Sequence, residues 1–187
     1  MDEKFIIKKY LKPLANSKDS MQLRDDVASI NVADEKYIVS NQDSLVMGTH
    51  FFESDDPMHI AKKSLRVNLS DLISKGVPPY GYFLSLALAD TIDENWIKLF
   101  SQGLVEDQKK YKITLLGGDT VSAPHGLFIT INMVSRTNDN IIKRGGACYG
   151  DNIYVTGTIG NSAIGLHLLK NKNDNLGLDQ LLSLIHI

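Results

Sequence analysis

Hydrophobic positions recur along the chain at two different periods, and these periods predict its secondary structure. Apolar residues spaced three and four apart predict helices at 3–15, at Pro57–Ser74, from a cap at Asp93 to about Lys110, and at 162–170. Short apolar runs bounded by turn residues predict strands at 27–32, 37–41, 82–88, 113–116, 127–134 and 152–155.

The order of these elements favours a particular fold class. Helices and strands are interspersed, but two pairs of strands have links too short for a helical crossover. We therefore expect an α+β fold with a mixed or antiparallel sheet and helices on one face, followed by the start of a second α+β domain.

The domain boundary is expected in the polar, glycine-rich stretch 138–150. This places an N-terminal domain at 1–137 and the beginning of a C-terminal domain at 138–181. Residues 182–187 read as the translation of a sequencing-adaptor end, and we exclude them from fold and function.

Composition narrows the function classes without choosing one. The 187 residues carry 20 basic and 22 acidic side chains, and no basic block indicates nucleic-acid binding. No apolar run is long enough to span a bilayer, and the single Cys148 excludes an internal disulfide framework. We expect a soluble cytoplasmic protein that binds neither nucleic acid nor membrane.

Four acidic segments carry candidate chemistry. They are Asp25-Asp26 before a strand, Asn41-Gln42-Asp43 at a strand end, Asn68 and Asp71 late in a helix, and Gly117-Gly118-Asp119 after a strand. Carboxylate and amide oxygens suit Mg²⁺, and glycines admit a phosphate close to the backbone. Each segment also has an ordinary explanation as turn filler, solvated helix edge or hairpin turn. Neither a Walker-type nor a dinucleotide-type glycine motif is present, so a nucleotide would be held mainly through metals.

Taken in order, the motifs are far more specific than any one alone. They run RDDVASI, SNQDSLVMGTHF, VNLSDLISKGVPP, LLGGDT and GDNIYVTGTIGNSAIGL. Over 1–181 this succession resembles the thiamine-monophosphate kinase family, in the superfamily of aminoimidazole ribonucleotide synthetase, selenophosphate synthetase and HypE. Within that superfamily the GTHF segment points to the thiamine enzymes.

The resemblance implies transfer of the ATP γ-phosphoryl group to thiamine phosphate, with several Mg²⁺ ions and a homodimer whose N-terminal strands combine across the two-fold axis. Matching positions imply metal ligands at Asp26, Asn41, Gln42, Asp43, Asp71 and Asp119. They imply ATP contacts at Gly117, Gly118, Asp119 and Arg144, and a thiamine phosphate contact at His50. The catalytic positions would be Asp43, Asp119 and Arg144.

Some residues depart from the family pattern. Arg24 stands in place of a usual Gly, Asn41-Gln42 in place of Thr-Thr, and Met47 in place of Glu. The expected second domain stops after its first strand and helix, so we expect this chain by itself to be inactive. Two alternatives stay open: another enzyme of the superfamily with a different substrate, and a non-catalytic dimerisation fragment.

Overall fold

The computed structural model describes residues 3–17, 20, 23, 32, 37–124, 126–143 and 145–170. The chain divides into two compact units, Met1–Ile142 and Lys143–Ile187. Of the strand predicted at 27–32, only the last residue lies within the described part. The domain boundary predicted at 137/138 stays a prediction.

Three helical segments belong to the first unit. Helix α1 (Glu3–Ile6) continues through a wide turn at Ile7–Leu11 and a tight turn at Lys12–Leu14, in the region predicted as one helix. Helices α2 (Pro57–Ser74) and α3 (Glu94–Tyr111) have the expected bounds to within a residue. Their N-cap side chains explain why they begin there. Asp56 accepts from the Met58 N–H and Asp93 from the Trp96 N–H, each at 2.7 Å.

A four-stranded mixed sheet forms the other layer, as predicted. Its strands are β1 (Tyr37–Val46), β2 (Gly81–Leu88), β3 (Thr114–Ser122) and β4 (Phe128–Thr137), in the spatial order β1-β4-β2-β3. Only β2 and β3 are parallel, and α3 makes the crossover between them. The short β3–β4 link therefore does not join neighbouring strands, because β2 lies between them.

Three strands, β1, β3 and β4, extend beyond their predicted ends. The prediction followed contiguous apolar runs, whereas β1 and β3 continue with alternating polar residues. In particular, Gly117-Gly118-Asp119 lies inside β3, so its interpretation as a turn after the strand is wrong. A Cβ on Gly118 would lie 1.8 Å from the Leu84 carbonyl oxygen. This close approach to β2 explains why a glycine occupies this position of the strand.

One hydrophobic core joins the sheet to the helices. Alternate residues of the two central strands point into it: Tyr82, Leu84 and Leu86 from β2, and Ile129, Ile131 and Met133 from β4. Helix α2 packs on β1, β4 and α3. Both long helices thus cover the same side of the sheet, here called the helix face. The other side is called the open face.

A bidentate ion pair ties the two long helices together. Arg66 Nε donates to Asp107 Oδ2 at 2.8 Å and Arg66 Nη2 to Oδ1 at 2.9 Å, with the Asp107 side chain only 2% exposed. The hydrogen bond to Asp107 raises the pKa of Arg66. Because a buried carboxylate needs a fixed partner, this pair sets how α2 and α3 lie against each other.

The second unit contributes helix α4 (Asn161–Lys170), as predicted. Residues 152–155, predicted as a strand, are exposed and unpaired in the described part of this unit. An apolar run needs a neighbouring strand to complete its backbone hydrogen bonds, and none is described there. Across the described residues of both units, no helix has the length and apolar character needed to cross a membrane.

Candidate functional site

Strand register assigns each predicted residue of β1 to one face of the sheet. Asn41 pairs with Met133 and Asp43 with Ile131, and both partners are buried in the core. Since side chains alternate along a strand, Asn41 and Asp43 lie on the helix face and Gln42 lies on the open face. The three consecutive candidates are therefore not brought to one point.

Asp119 also lies on the open face. It pairs with Ser85, which pairs with Thr130, which in turn pairs with Ser44. These four residues form a polar row across the sheet, with Ser44 and Thr130 hydroxyls 2.8 Å apart. Three strand spacings separate the outer strands by about 14 Å. Within one chain, Asp119 and Asp43 thus occupy opposite faces and opposite edges of the sheet.

On the helix face, β1 and α2 meet through side-chain amides. Asn41 Nδ2 donates to the Asn68 backbone oxygen at 3.1 Å and to Asn68 Oδ1 at 3.2 Å, and it approaches Asp71 Oδ2 at 3.5 Å. Asn68 is fully buried and donates to the Ser64 carbonyl at 3.0 Å. The sequence placed Asn68 and Asp71 together on one helix face, but only the structure brings Asn41 to them.

The atoms at this junction fit a hard cation. Asn41 Oδ1 is buried and has no hydrogen-bond partner, and a buried oxygen of this kind calls for a donor or a metal. Asp43 follows two residues along the same face of β1, and Asp71 Oδ2 lies 3.5 Å from the Asn41 amide nitrogen. Oxygen donors of these types are those that Mg²⁺ accepts.

The carboxylates alone do not complete such a site. Among the described residues, no cluster of three or more His, Cys, Asp or Glu side chains is placed to hold a metal ion. A cation at this junction would therefore use the amide oxygen as well. Asp26, the further predicted ligand, lies outside the described residues.

His50 lies in the turn after β1 with a defined tautomer. Its Nδ1 accepts a hydrogen bond from the Val46 backbone N–H at 3.0 Å, so the ring proton belongs on Nε2. Its own carbonyl accepts from Lys63 Nζ on α2, which holds the turn against the helix. The exposed imidazole thus keeps one N–H available for an anionic ligand.

The predicted ATP contacts are only partly described. Gly117 and Gly118 are strand residues, and a Cβ on Gly117 would meet the Phe83 ring at 3.2 Å. Their lack of side chains is therefore explained by contacts with β2, without a nucleotide. Arg144 lies outside the described residues.

Comparison with known proteins gives a consistent assignment. Residues 24–137 match the family model described as AIR synthase related protein, N-terminal domain. The thiamine-monophosphate kinase of Escherichia coli K12 is 37% identical over 169 residues, which cover 89% of this chain and 51% of that enzyme. The chain thus spans about half the length of the curated relatives it matches.

Solved structures agree with this match. Thiamine-monophosphate kinase from Stenotrophomonas maltophilia is 31% identical with a TM-score of 0.77, covering 87% of this chain and 52% of that one. AaThiL complexed with AMPPCP and TMP is 28% identical with a TM-score of 0.75, over 87% of this chain and 52% of that one.

Proposed function

Because the chain belongs to the AIR synthase related family through its N-terminal domain, we propose that its protein is a thiamine-monophosphate kinase. The reaction would transfer the γ-phosphoryl group of ATP to thiamine phosphate and release ADP. The observation that carries the proposal is 37% identity to the E. coli enzyme over 89% of this chain. The AaThiL complex with AMPPCP and TMP supports ATP and thiamine phosphate as the two substrates.

Magnesium is the cation that the helix-face junction fits. We assign its ligands there to Asp43, Asp71 and Asn41 Oδ1, with Asp26 as the further predicted one. When bound, the ion supplies charge neutralisation for the two phosphorylated substrates. Asp43 lies within strand β1 and Asp71 in the last turn of helix α2, so both carboxylates are held on rigid elements, and this pre-organises the site.

The chain's own residues need to orient the acceptor more than to activate it. The phosphate of thiamine phosphate is already an anionic oxygen nucleophile, so no general base is required. His50 Nε2–H can donate to that phosphate while Val46 holds the other ring nitrogen. Arg144, as predicted from the sequence, would stabilise the charge of the transferring group. We expect direct transfer without a phosphoenzyme intermediate.

Asp119 lies too far from Asp43 of its own chain for the two to share one ion. Mg²⁺ binds oxygen at about 2.1 Å, so one ion cannot join groups on opposite edges of a sheet about 14 Å wide. We propose a cytoplasmic homodimer in which the open faces and edge strands of two copies meet. In that arrangement Asp119 of one copy and Gln42 of the other meet at the interface beside edge strand β1, and Asp119 completes the partner's site at that edge.

Acceptor choice tests the function. The full-length protein should release ADP with thiamine phosphate and Mg²⁺, and far less with thiamine or without an acceptor. Asp43→Asn keeps the side-chain size and removes the charge, so it should lose at least about tenfold in kcat/KM. Activity with neither thiamine compound would instead favour another enzyme of the superfamily. The 187-residue chain, assayed in parallel, tests the alternative of a non-catalytic fragment.

A further inference from the structure

Two consecutive side-chain amides lead from the sheet into helix α2, and their orientations depend on each other. The outer one is Asn41 on β1, and the inner one is Asn68, which has no exposed surface. Beyond Asn68 lies the carbonyl oxygen of Ser64, a group that can only accept hydrogen bonds.

The orientation of the Asn68 amide constrains the orientation of the Asn41 amide. Because the Ser64 carbonyl can only accept, the Asn68 amide turns its nitrogen inward and its oxygen towards Asn41. Asn41 then faces acceptors only: the backbone and side-chain oxygens of Asn68, and the Asp71 carboxylate. The reversed Asn41 amide would set oxygen against oxygen at all three contacts, so its nitrogen points to α2.

These contacts fix the direction of the side-chain oxygen of Asn41. With its nitrogen held by α2, Asn41 turns Oδ1 the other way, where it is buried and has no hydrogen-bond partner. A buried acceptor left without a donor costs stability unless something satisfies it. A directly bound cation does so, and Asp43 on the same face of β1 supplies a carboxylate nearby.

We propose that Asn68 is a positioning residue of the magnesium site. Together with the backbone oxygen of residue 68 and Asp71, the Asn68 side-chain oxygen sets the direction of the Asn41 amide, so that oxygen and not nitrogen is presented to the ion. The inference rests on the proposed function only in taking Mg²⁺ as the ligand. It gives a buried helix residue a role in metal binding although that residue does not touch the metal.

Magnesium binding by the chain itself tests this role without any catalysis. Mg²⁺ alone is titrated by calorimetry into the parent chain and into Asn68→Leu, which has a similar volume but lacks the side-chain oxygen that accepts from Asn41 Nδ2 and keeps only the backbone oxygen of residue 68. Substituting a residue that orients a metal ligand without touching the metal typically lowers metal affinity by about tenfold to a hundredfold. We expect Asn68→Leu to lose at least about tenfold in Mg²⁺ affinity. Unchanged affinity in the variant, or no binding by the parent chain, would overturn the proposal.

Ser64→Ala is the matched control. Ser64 is fully buried on the same helix, and its hydroxyl donates to the Ala61 carbonyl at 2.8 Å. The substitution removes a buried hydrogen bond but keeps the backbone carbonyl that orients Asn68. We expect a similar loss of thermal stability without Mg²⁺ and a near-parental affinity for the ion. Equal loss of affinity in both variants would show that Asn68 acts through stability alone.

A second background separates orientation from packing. Asn41→Asp presents an oxygen whichever way its carboxylate lies, so adding Asn68→Leu should no longer weaken Mg²⁺ binding. The same loss in both backgrounds would contradict the proposal. If Asn68→Leu does not fold, Asn68→Ala is read by the same criteria. Failure of thiamine phosphate phosphorylation would leave these titrations unaffected, so the two proposals can fail separately.

Discussion

The two faces of the sheet differ in how their polar groups are satisfied. On the helix face, polar side chains are few; the Asn41 nitrogen is bound to Asn68, whereas the buried Asn41 Oδ1 and Tyr82 hydroxyl have no hydrogen-bond partner. The open face carries a polar row flanked by apolar side chains that remain accessible, including Ile38, Val121 and Phe128. The chain's own helices cover one face, and the other has the character of a surface that a partner covers.

This difference shows how adjacent residues of a single acidic motif can lie on opposite faces of the sheet. Asp43 and Gln42 are adjacent in sequence, yet the pleat sends one to the helix layer and the other to the open face. A site that uses both faces needs either the helix layer and a second copy together, or two separate ions. The proposed homodimer corresponds to the first arrangement, in which the helix layer of one copy and a second copy form the site together.

The largest expected effect comes from mixing two inactive variants of the full-length protein. Asp43→Ala and Asp119→Ala homodimers should each lose nearly all activity. After exchange of subunits, half the dimers are mixed and each holds one intact composite site. The mixture should therefore recover about one quarter of parental kcat. Mixing Asp43→Ala with itself is the control, and no recovery in the mixed sample would place both aspartates in one chain's site.

Neighbouring residues on β4 sharpen the comparison through stability. Ile129 is fully buried on the helix face, whereas Phe128 is 43% exposed on the open face. Ile129→Ala should lower the free energy of unfolding by about 2–5 kcal/mol, because it leaves a cavity. Phe128→Ala should cost about 1 kcal/mol or less in the monomer and should weaken the dimer. Urea unfolding measures the loss of stability and sedimentation velocity measures the dimer. Equal losses in the free energy of unfolding for the two variants would mean that Phe128 is packed as tightly as Ile129 within one chain.

The smallest expected effect lies on the outer surface of the helix layer. The Lys9 ammonium and the Tyr10 hydroxyl both donate to Glu94, and the hydrogen bond from Lys9 is the main cause of its lowered pKa. A lowered pKa in the folded state stabilises the fold at neutral pH, and this contribution is lost as the pH falls through that pKa. Glu94→Gln should thus be slightly less stable at pH 7, with the difference vanishing in acid.

Thermal unfolding of both proteins from neutral pH down to acid measures this difference. Because the Lys9 and Glu94 side chains are each about half exposed, salt should shrink it. A difference that persists below the lowered pKa of Glu94 would mean that the packing of Glu94, and not its charge, matters.

Much of the fold could be predicted because local chemistry decides it. Asp56 with Pro57 and Asp93 with the following helical spacing mark where α2 and α3 begin. Strand lengths were less predictable, since Gly118 reads locally as a turn, and only the contact with Leu84 keeps it in β3. The strand expected at 152–155 shows the opposite limit, because an apolar run becomes a strand only beside a partner.

By itself, the sequence indicated the helices, a mixed or antiparallel sheet, the family and the candidate oxygen groups, because caps, periodicity and motif order act over a few residues. The tertiary structure alone decided which of these candidate groups meet. Strand register put Asn41 and Asp43 opposite Gln42, the sheet's width separated Asp119 from them, and helix packing brought Asn68 against Asn41. These are relations between segments distant along the chain, and no local pattern contains them.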